Sequence, residues 1–157
     1  MTMEKTDIAM LTETKGIPPK MDGFTWFTKE RLNGRGGGVA IAVRNNFCRY
    51  ITQPDVIESN EMEIIWIALK GARHNTIHLG CYYGLQEKAE KEKVENEFDQ
   101  PKTQIAMMDH KGPITLAGDF NAKIRMDEAD CKQDMSCNGK ILEQFLQETR
   151  MEYINSK

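Results

Sequence analysis

The segment between residues 86 and 122 most constrains this chain, because the hydrophobic period changes there. Glu87 through Phe98 is dense in opposite charges at three- and four-residue spacing, which predicts a solvated helix. Val94, Phe98, Ile105 and Met108 give that helix a thin apolar stripe, and Pro101 is expected to break, kink or restart it. After Gly112-Pro113 the pattern becomes that of a strand. Ile114-Thr115-Leu116-Ala117 is short, apolar and β-prone, and it ends abruptly in Gly118-Asp119-Phe120-Asn121. Such a helix carries the chain back to a new strand. On an extended backbone Asp119 and Asn121 share one face while Phe120 takes the other. A carboxylate and a carboxamide side by side at a strand end can hold a hydrated divalent cation or orient a water beside a phosphate. Gly, Asp and Asn are equally the residues of an ordinary turn.

The preceding chain supplies further strands. Asp7 to Leu11 is a compact apolar run that leads to Thr12-Glu13-Thr14, read as a buried strand ending at Glu13, with a loop from Gly16 to Asp22. An isolated glutamate is more often a surface residue than a ligand. Phe24 to Phe27 reads as an aromatic strand. The glycines 36–38 precede the β-branched run Val39 to Arg44, but no Gly-Lys-Ser/Thr follows and no helix starts there. They therefore fit a bulge or a close backbone approach better than a phosphate-binding loop. Cys48 to Thr52 is expected to close a hairpin with that run across Asn45-Asn46. Glu63 to Leu69 and Thr76 to Tyr83 form a meander of an antiparallel or mixed sheet. His78 lies within its strand as a packed residue, and Tyr82 and Tyr83 point to opposite faces, so at most one of them faces a site. Beyond Asn121, the acidic stretch holding Asp127, Glu128, Asp130 and Asp134 matches no calcium loop and reads as an exposed loop. Ser136-Cys137-Asn138 is placed to cap a helix from Gly139 through Thr149, and Met151 to Asn155 to begin one more strand.

Composition narrows the class of function. At 157 residues, 39% apolar and 29% charged, the chain reads as a single globular domain over 1–157. No apolar run approaches bilayer length and the first fifteen residues hold no secretory core, which predicts an intracellular protein, nuclear or cytoplasmic. Cys48, Cys81, Cys131 and Cys137 show no CxxC pair and no paired spacing with His74, His78 or His110, so free thiols are expected rather than structural zinc. The net charge of −3 gives no global pull toward nucleic acid, although residues 1–50 carry eight Lys/Arg against five Asp/Glu.

With those residues laid out, the chain resembles an endonuclease/exonuclease/phosphatase-family domain, in particular the apurinic-type endonuclease domain of non-LTR (LINE-like) retrotransposons. The likeness spans nearly the whole chain. It rests on the strand ending in Thr12-Glu13-Thr14, on Gly37-Gly38-Val39-Ala40, on Tyr82-Tyr83-Gly84-Leu85-Gln86, on Leu116-Ala117-Gly118-Asp119-Phe120-Asn121-Ala122 and on the Ser136-Cys137-Asn138-Gly139 helix. The resemblance implies an α/β sandwich of two facing mixed sheets with outer helices. It implies that Glu13 binds the catalytic Mg²⁺ (with Mn²⁺ as a substitute) and that Asp119 orients the attacking water or assists the leaving oxygen. Asn121 would hold a neighbour and the scissile phosphate, and Tyr82, rather than Tyr83, would contact the phosphate. The implied reaction is DNA nicking within a polyprotein that also carries a reverse transcriptase. Family members also have a first strand bearing an Asn and a final strand pair followed by Ser-Asp-His. Neither is found here, so the chain reads as a copy shortened at both ends, with little activity expected alone. A phosphatase of the same family and a non-catalytic, weakly nucleic-acid-binding remnant are the competing readings.

Overall fold

The computed structural model describes residues 6–16, 21–31, 36–57, 62–71, 75–86, 91–124 and 135–154. They fall into two compact units, one drawn from Met1–Tyr83 and Met107–Asp119, the other from Gly84–Ala106 and Phe120–Lys157. Each is taken by itself.

The first unit holds two sheets. Strands β1 (Ile8–Thr12), β2 (Phe24–Lys29) and β3 (Val39–Arg44) form one in the order β1-β3-β2, antiparallel throughout. Strands β4 (Ile51–Thr52), β5 (Glu63–Lys70), β6 (Thr76–Tyr83) and β7 (Ile114–Asp119) form the other in that order. Only the β6/β7 pair is parallel, so the expectation of two mixed sheets holds for the second sheet alone. A parallel neighbour needs a long crossover, and the helical segment after β6 supplies it. Val39, Ile41 and Val43 from the first sheet and Ile67, Cys81 and Tyr83 from the second make one core cluster, so the sheets face one another. Five consecutive β3 residues, Val39 to Val43, are 0% exposed, which is why an unbroken apolar run suits the central strand. Strand β1, at an edge of its sheet, is only half-buried and ends at Thr12, one residue short of Glu13.

Cys48 to Thr52 does not pair back on β3. Both edges of β3 are already taken by β1 and β2, so the chain leaves that sheet through successive i→i+3 bonds, from Phe47 N–H to the Arg44 carbonyl and from Tyr50 N–H to that of Phe47. Residues Cys48–Tyr50 form a 3₁₀ turn, and Ile51–Thr52 join the other sheet beside β5.

His78 is the packed strand residue expected, 2% exposed, and its Nδ1 has no hydrogen-bond partner. Burial lowers its pKa from the ordinary 6.5; a hydrogen bond to the Pro113 backbone opposes the shift and the charge of Lys111 adds to it. The folded state therefore binds fewer protons than the unfolded chain below 6.5. Stability should fall as pH drops from 7.5 through that window and level off below the depressed value. Urea titrations at several pH values should show a shallower fall in His78→Leu than in the parent; equal slopes would contradict this.

In the second unit, α1 (Lys91–Met108, of which residues through Ala106 belong here) packs on α2 (Cys137–Thr149). The rings of Phe98 and Phe145 sit 5.0 Å apart at 47°, and Lys102 pairs with Glu148 at 2.5 Å. The stripe read from sequence is buried: Val94, Phe98, Ile105 and Met108 are 2%, 2%, 4% and 0% exposed. Helix α1 runs through Pro101 without a break. A proline inside a helix loses its own N–H bond and crowds the carbonyl four residues back, and a buried ring at that position offsets part of the cost by packing. Ser136 caps α2 as expected, its Oγ accepting from Gly139 N–H at 3.0 Å. Arg150, left-handed at φ 56°, closes the helix, and residues 151–154 form no strand. The acidic stretch from Asp127 to Asp134, together with Cys131 and His74, lies outside the described residues. No helix among the described residues is long and apolar enough to cross a membrane.

Candidate functional site

The site in the first unit is built on a row across three strands. Glu63, the first residue of β5, and Tyr83, the last of β6, are cross-strand partners; Tyr83 and Asp119, the last of β7, are partners in turn. Partners share a face, and the alternation that turns Cys81 and Tyr83 into the core points all three toward the first sheet. Glu13 meets this row from that sheet. Its Oε1 accepts a 2.5 Å hydrogen bond from the Tyr83 hydroxyl. Tyr83 is 4% exposed, whereas Glu13 and Asp119 are both exposed. A buried phenol thus holds one solvent-facing carboxylate, Glu13, by hydrogen bond, and its residue is the strand neighbour of a second, Asp119.

Local backbone explains how Glu13 gets there. It adopts φ 54°, left-handed and unusual for a side chain of this size. The turn is held by bonds from Thr14 N–H to the Gly38 carbonyl, 3.3 Å, and from Lys15 N–H to that of Gly37, 2.9 Å. The glycines are here for close approach: a Cβ on Gly37 would lie 2.5 Å from Glu63 Oε2, and one on Gly38 would lie 2.6 Å from Thr14 Oγ1. They do not cradle a phosphate; they let the β1 end and the start of β3 touch.

One further charged residue, Arg31, joins the row through Glu63. Glu63 is 7% exposed; its Oε2 accepts from Gly38 N–H and its Oε1 from Arg31 Nε at 2.5 Å. The Arg31 guanidinium lies 5.6 Å from the centroid of the Tyr83 ring. Neither residue stood out in the sequence. Glu63 opens an apolar strand and looks like an ordinary flanking charge, and its partner lies 32 positions away. A carboxylate at a strand position whose parity matches Ile65 and Ile67 was the available signal.

Of the residues expected at the site, Glu13 accepts from the Tyr83 hydroxyl and Asp119 is the register partner of Tyr83. Tyr82 does not join them: it is 1% exposed and on the opposite face of β6. The geometry puts Tyr83, the tyrosine given second place on sequence, against Glu13. Asn121 belongs to the second unit and is left-handed at φ 47°, so strand alternation stops at Asp119 and does not set its direction. Its Nδ2 donates to the Gly84 carbonyl at 2.8 Å, and its own carbonyl accepts from Asn138 Nδ2 at 3.0 Å. Buried Asn138 also donates to the Leu85 carbonyl at 3.1 Å, which fixes the stretch after Tyr83 to the start of α2. Cys81 beneath the site is chemically quiet. Burial pushes its thiol up to about 11, and Sγ donates to the Leu11 carbonyl at 3.4 Å. No group of three or more His, Cys, Asp or Glu that could hold a metal gathers among the described residues.

No family model and no curated protein matches the chain. Among solved structures, the endonuclease domain of TRAS1, a telomere-specific non-LTR retrotransposon, superposes with a TM-score of 0.63 over 98% of this chain at 20% identity. This chain has that domain's fold. It spans 63% of the length of the TRAS1 endonuclease domain. ANGEL2, a 2′,3′-cyclic phosphatase, aligns with 74% of this chain at a TM-score of 0.45 and 15% identity. The α/β architecture expected from sequence is thus shared with a retrotransposon endonuclease domain.

Proposed function

We propose that this chain is the phosphodiester-hydrolysing, DNA-nicking part of a retrotransposon polyprotein that also carries a reverse transcriptase, with Mg²⁺ as its cofactor. The observation that carries the reading is that the Tyr83 hydroxyl donates to Glu13 while Tyr83 is itself the register partner of Asp119 at the ends of β6 and β7. Exposed oxygens without Cys or His suit a hard cation that keeps most of its waters and takes only one or two carboxylates. Glu13 would hold that ion through the oxygen not engaged by Tyr83. Bound there, Mg²⁺ supplies charge neutralisation at the phosphodiester and polarises its phosphoryl oxygen. Asp119 accepts a hydrogen bond from the attacking water and aims it. Tyr83 keeps Glu13 oriented.

The test is relaxation of supercoiled plasmid by the full gene product containing this chain, in Mg²⁺ and in EDTA. Nicking is expected in Mg²⁺ only, with Asp119→Ala slower by about 100-fold and Glu13→Ala at least as impaired. If the folded parent protein leaves the plasmid intact, or if both variants nick at the parental rate, the reading fails. Binding that weakens steeply with salt but never nicks would mark the non-catalytic alternative.

A further inference from the structure

Glu63 and Arg31 play no part in the reaction outlined above, yet they are joined to it. Glu63 is 7% exposed and both its oxygens are engaged, one by the Gly38 N–H and one by Arg31. Two guanidinium nitrogens, Nε and Nη2, turn to the same Glu63 Oε1, which fixes the plane of the fork. The carbon of that fork lies 5.6 Å from the Tyr83 ring centroid, and Tyr83 is the cross-strand partner of Glu63. The loop is shaped around the pair, since a Cβ on Gly37 would lie 2.5 Å from Glu63 Oε2 and 2.7 Å from Arg31 Nε. An ion pair with one partner buried and the other half-exposed is a poor way to gain stability, because desolvating the buried charge offsets most of the attraction. A charged plate over one aromatic face has a different use: it restricts the ring.

We propose that Glu63 and Arg31 form a positioning couple that fixes the Tyr83 phenol and, through its hydroxyl, the carboxylate of Glu13. The role assigned to Glu13 rests on the cation reading above; the link from couple to phenol does not. Glu13 stands on left-handed backbone and is exposed, so the hydrogen bond from Tyr83 is the tie that orients its carboxylate. Arg31 acts on the site through that tie.

Two measurements test this on the chain labelled with ¹³C at tyrosine Cζ. The Tyr83 resonance, assigned by its loss in Tyr83→Phe, reports the hydroxyl hydrogen bond without any metal and should shift in Glu13→Gln. It should shift the same way in Arg31→Gln. Titration with Mn²⁺ then reads Glu13: affinity should fall about tenfold in Arg31→Gln and in Tyr83→Phe, with no further fall when the two are combined. Should Arg31→Gln fail to fold, the neutral pair Arg31→Gln with Glu63→Gln leaves no buried charge unmatched and carries the same expectations. An unmoved Tyr83 resonance in either folded variant overturns the couple, as do additive losses in Mn²⁺ affinity. If Mn²⁺ binds equally well without Glu13, the cation reading falls, while the resonance still decides the couple.

Discussion

Gly118→Ala is expected to destabilise the chain by about 3–5 kcal/mol, a drop of roughly 10 °C in melting temperature. Gly118 precedes Asp119 in β7 and has φ 143°, a conformation open to glycine and strained for any side chain. A Cβ there would overlap the carbonyl oxygen of Tyr82, its register partner in β6. Neither atom can yield, since both belong to the backbone of a parallel ladder. The control is Gly23→Ala, where φ is 82° but nothing lies within 4 Å of the added carbon. It carries backbone strain without a clash, so its loss should stay near 1 kcal/mol. Thermal melts by circular dichroism compare the two. Equal melting temperatures for Gly118→Ala and the parent would mean that β7 does not lie against β6 in this register.

Phe145→Ala is the other large effect, at about 3–5 kcal/mol in urea unfolding. Phe145 is 1% exposed and faces Phe98 at 5.0 Å, so truncation removes both its buried area and a tilted ring pair. Exposed Gln147 on the same helix is the comparison, with Gln147→Ala expected within about 0.5 kcal/mol of the parent. A loss below about 1 kcal/mol for Phe145→Ala would refute the α1–α2 packing described here.

Local patterns carried much of this fold, and where they failed the cause lay elsewhere in the chain. The β-branched run at Val39 and the stripe from Val94 to Met108 announced a central strand and a packed helix, because burial writes directly into hydrophobic period. Ser136 announced a helix start because a cap is chemistry among neighbours. The path of Cys48 to Thr52 depended instead on whether an edge of β3 was open, and β1, from much earlier in the chain, had closed it. The choice between Tyr82 and Tyr83 turned on parity: Tyr83 shares a face with Cys81 and the core, a fact invisible until the facing sheet is known. Asp119 and Asn121 looked like a matched pair only while the backbone was assumed extended, and φ 47° at Asn121 ends that assumption. The Arg31–Glu63 contact joins the segment after β2 to the start of β5 and leaves no local trace.

The left-handed backbone at Glu13 has a consequence for how such sequences decay. Glycine would occupy that φ at less expense to folding, by about 1 kcal/mol, so the glutamate is held there at a small cost to stability. Among related chains freed of any demand on that carboxylate, position 13 should drift early and toward smaller residues, whereas Gly118, which the ladder itself requires, should outlast it.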